Sequence, residues 1–243
     1  MQYLLDVHTH TIASGHAYNT MNEMIRSAAD NGLKLLGISE HAPAMPGSCQ
    51  ETYFYNIHVI PAEKYGVRVL IGAEVNIMDL QGSLDLREYP LNHLDYGIAS
   101  MHTLCLKSGT REQNTYAYCK VMENPYIQII GHPDDGRYPV DYKTLVQEAR
   151  QHHVLLELKN SSLRPDSFRP GTRENDCKML EYCMEYETPI LLGSDAHVEE
   201  DVGNFCYADQ LLKEVHFPEH LIANTSIELL LSYLPCARHN KSR

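Results

Sequence analysis

Short apolar runs alternate with amphipathic stretches along the whole chain. The runs at 3–7, 35–39, 67–74, 96–101, 127–131, 154–158 and 190–194 are rich in Val, Ile, Leu and Tyr. Several are almost continuously apolar, as expected of strands covered on both faces. Between them, 21–31, 115–123, 142–152 and 174–186 carry apolar residues at helical spacing, and 221–234 reads as a closing helical region. Residues 79–90 read as a loop or short ribbon. Strand–helix alternation from end to end predicts an α/β fold, a parallel sheet clad in helices. No linker, repeat or low-complexity segment interrupts it, so 1–243 is expected to form a single domain.

Placing the polar residues on this pattern gives it a direction. His8 and His10 fall at the end of the first run and His41 after the second. Glu74 ends the third. His102 and His132 follow the fourth and fifth, and Asp195 and His197 follow the seventh. Each lies at the carboxyl end of its predicted strand, the end at which β/α barrels build their active sites. Within His8-Thr9-His10 and Asp195-Ala196-His197, the period of two sends both polar side chains to one face. Imidazole and carboxylate hold divalent transition metals. With His16, from a Gly-containing loop, nine candidates result: His8, His10, His16, His41, Glu74, His102, His132, Asp195 and His197. That is too many for one ion. With one carboxylate bridging, nine residues offer about ten bonds, enough for three ions with about three protein bonds each. The set has no sulfur, which permits zinc, manganese or iron.

Composition narrows the class. With 43% hydrophobic and 21% charged residues, the chain reads as a soluble globular protein. Its formal charge of −12 argues against long duplex nucleic acid as a partner. Three bound divalent cations would halve that charge. The seven cysteines (Cys49, Cys105, Cys119, Cys177, Cys183, Cys206 and Cys236) include no C-x-x-C pair, so neither a disulfide framework nor a thiolate metal site is indicated. No run reaches transmembrane length and no leader pattern opens the chain. A reducing, cytoplasmic setting without a membrane partner is expected, and a homo-oligomer is compatible with it. Of the 14 histidines, His58, His93, His152, His153, His216, His220 and His239 are read as ordinary surface or core residues.

The motifs have a recognisable order. Asp6-Val7-His8-Thr9-His10-Thr11, Ala13-Ser14-Gly15-His16, Ser39-Glu40-His41, Gly72-Ala73-Glu74, Ser100-Met101-His102, Gly131-His132-Pro133 and Gly193-Ser194-Asp195-Ala196-His197 resemble the PHP (polymerase and histidinol phosphatase) superfamily. Through Leu156-Glu157-Leu158-Lys159-Asn160-Ser161-Ser162 the chain is most similar to its stand-alone YcdX-like phosphatases. The resemblance implies a distorted seven-stranded (βα)7 TIM-like barrel with a trinuclear site, usually assigned as zinc. It would place His8, His10, Glu74 and Asp195 around one ion. Glu74, His102 and His132 would hold a second, and His16, His41 and His197 a third. Three departures stand out: Glu40 where Asp is common, the added carboxylates of Asp134-Asp135-Gly136, and Lys159 where relatives often have a neutral residue.

The expected activity is metal-assisted hydrolysis of a small phosphomonoester, with Asp195 or His197 assisting proton transfer. Arg164, Arg169 and Arg173 are candidate phosphate clamps; Arg173 is the one expected to face the site, and loop charge is the reading for the other two. Asn160 and Ser161 are expected near the substrate. Two rival hydrolases share this chemistry, a phosphodiesterase acting on short oligonucleotides and an amidohydrolase. The second commonly bridges its metals with a modified Lys, where this chain has Glu74 and His102. A non-enzymatic metal-binding protein is the third alternative.

Overall fold

The computed structural model of the chain describes residues 1–235, so Cys236 and His239 lie outside the described residues. Eight strands occur in chain order: β1 (Leu5–Asp6), β2 (Leu35–His41), β3 (Glu63–Lys64), β4 (Val67–Asn76), β5 (Tyr96–Ser100), β6 (Ile129–Ile130), β7 (Leu155–Lys159) and β8 (Ile190–Gly193). The short β3 folds back antiparallel on β4. The other seven run parallel, in the order β1-β2-β4-β5-β6-β7-β8. These seven form the nearly closed barrel that the apolar runs predict. Helices α1 (Met21–Asp30), α2 (Glu88–Leu91), α3 (Arg111–Met122), α4 (Tyr142–His152), α5 (Thr172–Glu185), α6 (Cys206–Glu214) and α7 (Ile227–Tyr233) complete it.

The barrel seam lies between β1 and β8. It is joined by a parallel bridge between Thr9 and Ala196 and by the His10 amide donating to the Ala196 carbonyl at 2.9 Å. Lower down, the buried Asn224 side chain donates to the carbonyls of Leu5 (3.0 Å) and Leu192 (2.9 Å) and accepts from the Leu192 amide (2.7 Å). One side chain thus substitutes for ladder bonds that the two short strands cannot make directly. The Asp6 carboxylate does the same near the top, accepting from the amides of His8, Ser194 and Gly203. Burial pushes its carboxyl up to about 6 despite those bonds.

Alternation along each strand creates two cores. Leu5, Leu35, Leu70, Ile98, Ile129 and Leu155 point into the barrel and pack on Leu230 and Leu234 around α7, which plugs the end away from the ligands. The alternate residues, such as Ile71, Ala73, Leu156 and Leu158, join the outer core under the helices. Tyr96 fills the barrel between its base and the polar ring, with its hydroxyl donating to the Val7 carbonyl at 2.7 Å.

Three helices differ from the sequence reading. The single-turn α2 falls at the end of 79–90, which reads as a loop or short ribbon. α3 begins four residues before 115, where Thr110 and Gln113 form a capping box. α6 was not expected at all. No side chain at its own N-cap bonds to its first turn. The Asn160 Oδ1 accepts instead from the Tyr207 (2.9 Å) and Ala208 (3.1 Å) amides, so a residue distant in sequence caps it. Among the described residues, no helix is long and apolar enough to cross a membrane. The described cysteines are free.

Candidate metal centre

The inward alternation of β2, β4 and β7 carries on past the apolar layers and delivers polar groups at the barrel mouth. His41 and Glu74 are direct register partners on β2 and β4. The Glu74 Oε2 lies 3.4 Å from His8 Nε2, 3.5 Å from His10 Nε2 and 2.8 Å from His41 Nδ1. Its Oε1 lies 3.3 Å from His102 Nε2 and 3.0 Å from His132 Nε2. Asp195 Oδ1 lies 3.3 Å from His8 Nε2 and 3.1 Å from His10 Nε2. At the rim the exposed His16 ring packs 4.9 Å from that of His41 and 4.8 Å from that of His197. Eight of the nine predicted ligands therefore converge through their ligand atoms, and His16 joins them by ring packing alone. Three groups bring ligand atoms close enough to share an ion: His8/His10/Glu74/Asp195, His41/Glu74/His102 and His10/His41/His197.

The donor set fits divalent metals on two counts. First, Nε2 of His8 and His10, Nδ1 of His41 and Oε2 of Glu74 are buried with no hydrogen-bond partner. Buried polar atoms are costly in that state unless something binds them. Second, four ligands at 2.0–2.1 Å around a tetrahedral ion are about 3.3 Å apart, close to the separations above.

A second layer fixes which ring nitrogen faces inward. His8 Nδ1 donates to Glu157 Oε1 at 2.6 Å, and His102 Nδ1 to Asn76 Oδ1 at 2.7 Å. His197 Nδ1 donates to the Asp195 carbonyl at 2.9 Å. The Ser14 hydroxyl gives its proton to Glu40 Oε2 at 2.6 Å. His10 Nδ1, 3.1 Å from the Ser14 oxygen, is therefore the donor of that pair. Each bond leaves Nε2 as the free lone pair. Glu40 thus acts through Ser14, and its replacement of the commoner Asp removes no ligand. The Glu157 carboxylate also accepts from the His132 amide at 2.7 Å. It sits so close to Gly193 that a Cβ there would lie 1.7 Å from Glu157 Oε1, which explains that motif's glycine. Glu157→Gln is expected to weaken metal affinity about 10–100-fold with the fold intact, as read by competition with a chromogenic chelator; unchanged affinity would remove Glu157 from the centre.

Charge follows from packing. Burial works against ionised Glu74, but His41, His8 and His102 hold its carboxyl well below the usual range. Burial also disfavours charge on His8, yet Glu157 and Glu74 outweigh it and raise that imidazole well above its ordinary value. His10 is pushed well below, by burial and then by His41 and His197. His132 is likewise pushed well below, by burial and then by Arg169 and Lys159. Packing thus favours the neutral, ligating form of His10 and His132 and opposes it at His8.

The ring floors a cavity of about 760 Å³ whose wall includes Lys159, Ser161, Arg137, Arg164, Phe168 and Arg169. Lys159 is buried in an ion pair with Asp195 Oδ2. Arg169, read from sequence as loop charge, is buried against Asp135 at 3.2 Å. Arg173 is placed elsewhere: it pairs with Glu214 on the exposed surface and is not in the cavity wall. The reason is helical phase. Thr172 points inward, its hydroxyl donating to the Ser162 carbonyl, so its neighbour on α5 points out. Asn160 is near the cavity but spends its carbonyl on α6. The sequence reading left out Glu157, Asn76, Ser14 and Arg137. Glu157 and Lys159 had a signal, two charges at period two inside an apolar run.

The strand order and this mouth define the class, a β/α barrel with a ring of candidate metal ligands at the carboxyl ends of its strands. A family model described as the PHP domain matches residues 6–162. The chain belongs to the PHP family. A probable phosphatase of Clostridium novyi (strain NT) is 44% identical over 234 residues, spanning 96% of this chain and 95% of that protein. Another, of Caldicellulosiruptor saccharolyticus, is 42% identical over 95% of both. The crystal structure of histidinol phosphate phosphatase from Lactococcus lactis, complexed with zinc, L-histidinol and phosphate, shares the fold with a TM-score of 0.63 at 20% identity, over 89% of this chain and 95% of that one.

Proposed function

We propose that the protein is a metal-dependent phosphatase that hydrolyses small phosphomonoesters at a centre of three divalent ions, zinc in the first instance. The observation that carries this reading is Glu74, whose two oxygens face different sets of imidazoles, the geometry of a bridging carboxylate. His8, His10, Glu74 and Asp195 would hold one ion, Glu74, His102 and His132 a second, and His16, His41 and His197 a third. Cations held there would neutralise phosphate oxygens and bring the pKa of water close to neutrality.

The rest falls to the chain's own groups. Lys159 fixes Asp195 by its Oδ2, leaving Oδ1 for the centre. Arg169 lies close enough to the centre for its charge to act on His102 and His132, and its remaining donors suit the outer oxygens of the phosphoryl group. His197, in the cavity wall, and Asp195 would assist proton transfer at the centre.

The test is a panel of phosphomonoesters, a short labelled oligonucleotide, amides and lactones, all incubated with the zinc-loaded chain. Release of inorganic phosphate from monoesters supports the reading. Nucleotide release without phosphate makes the protein a phosphodiesterase, turnover of amides or lactones an amidohydrolase, and an inert panel a metal-binding protein.

A further inference from the structure

We infer that the outer wall of the same cavity contains an anion subsite built on Arg137, so that the substrate carries a second anionic group, a carboxylate or phosphate, beyond the phosphoryl group that is cleaved. The inference rests on the phosphomonoesterase reading for the cavity floor. It starts from Asp135, a buried carboxylate between two guanidiniums. Arg137 Nε donates to Asp135 Oδ1 at 2.9 Å and Oδ2 at 3.0 Å, and its Nη2 donates to Oδ2 as well. Arg169 approaches Oδ2 from the other side and donates through Nη1 to Ser162 Oγ at 3.3 Å. Arg137 and Arg169 thus share Asp135, and Asp134 also lies within electrostatic reach of Arg169. Asp134, the neighbouring carboxylate, is fully buried and does not line the cavity.

The donors left over point to a ligand. Among the described residues Nη1 of Arg137 has no hydrogen-bond partner, and neither has Nη2 of Arg169. Both residues line the cavity. A guanidinium fixed on its Nε edge by a carboxylate keeps its remaining N–H groups in one orientation, which is how Arg is prepared for a planar or tetrahedral oxyanion. Phe168 fixes the arrangement further. Its ring, exposed at the mouth, lies 5.0 Å from the Arg137 guanidinium carbon and 5.4 Å from that of Arg169.

The other basic residues of the wall lack this surplus. Arg164 pairs with Asp166 at 3.0 Å and lies 3.9 Å from Asp201, so its charge is met twice over. Lys159 is committed to Asp195. Of the four basic residues in the wall, Arg137 is the one that is partly exposed and held in place on its Nε edge with Nη1 left over. A cavity of about 760 Å³ has room for a substrate reaching from the metal ring to that wall. The chemical class is therefore a phosphomonoester whose leaving group ends in a carboxylate or a second phosphate.

Non-hydrolysable phosphonates test this without turnover. The zinc-loaded full chain is titrated by calorimetry with alkylphosphonates and with ω-carboxyalkylphosphonates of two to four methylenes. At one or more lengths the carboxylate is expected to tighten binding about tenfold, the contribution of one charge-assisted hydrogen bond. In Arg137→Gln that gain vanishes while the plain alkylphosphonate binds within about twofold of wild type; Arg137→Lys keeps part of the gain. Equal affinity of both series for the wild-type chain overturns the subsite. So does an equal weakening of both series in Arg137→Gln, which would put Arg137 on the phosphoryl group instead. A carboxylate gain alongside an inert phosphomonoester panel would refute the phosphatase reading and leave the subsite standing. Phosphate release without a carboxylate gain would do the reverse.

Discussion

Glu74→Gln is expected to lower kcat/KM on any phosphomonoester substrate by at least about a thousandfold, a loss of about 4 kcal/mol of transition-state stabilisation. The substitution keeps the size of the side chain and one of its oxygens. It removes the negative charge and turns the other oxygen into a donor. That donor would face imidazole nitrogens whose lone pairs point at it, because Oε2 lies within 3.5 Å of His8, His10 and His41 and Oε1 within 3.3 Å of His102 and His132. Its two oxygens together reach five other members of the ring. The effect should exceed that of Glu157→Gln, which disturbs a ligand only through its far nitrogen. Elemental analysis of the purified variant should find at least one metal ion per chain fewer than in wild type, with an unchanged far-ultraviolet spectrum. A variant that keeps both its metal and its turnover would mean that Glu74 ligates nothing.

Stripping the metal is the second large effect. Dialysis against a strong chelator is expected to abolish turnover and to lower Tm by roughly 8–16 °C. That range follows for a single ion held about a thousandfold above its Kd, which adds about 4 kcal/mol, at about 2–4 °C per kcal/mol for a chain of this size. The physical cause is local. Without cations, Glu74 and Asp195 remain at the mouth with only imidazoles and Lys159 to offset them, and the orphaned nitrogens of His8, His10 and His41 face one another unbound. Adding zinc should restore both properties, and titration to full recovery gives the stoichiometry, expected near three ions per chain. A stoichiometry near one would overturn the trinuclear reading. Chelated protein with unchanged Tm and full turnover would overturn metal dependence altogether.

The two effects differ in how far they were legible beforehand. Glu74 could be picked out from the chain because it ends an apolar run and the other candidates end theirs. The same argument reached eight of the nine ring members; His16, from a Gly-containing loop, ends no apolar run. Arginine placement was a different matter. Arg169 and Arg173 are four residues apart in one loop-and-helix segment, with similar neighbours. Only the docking of Thr172 onto Ser162 sets which of them turns inward. Arg137 was not considered because its partner Asp135 and its stacking partner Phe168 come from different loops. α6 was missed for a related reason: its N-terminal amides are capped by Asn160, which no local pattern can reveal.

By itself, then, the sequence determined the seven barrel strands, their parallel alternation with helices and the identity of the metal-ligand candidates, but not the antiparallel β3. These are properties of periodicity and of side-chain chemistry at strand ends, and both are written locally. The tertiary structure alone decided how the seam between β1 and β8 is joined through Asn224 and Asp6, which imidazole nitrogen each ligand presents, and which basic residues reach the cavity. Those depend on barrel closure and helix phase, which bring together groups far apart in the chain. No local signal encodes such a distance, because the free energy that sets it comes from packing the whole barrel at once.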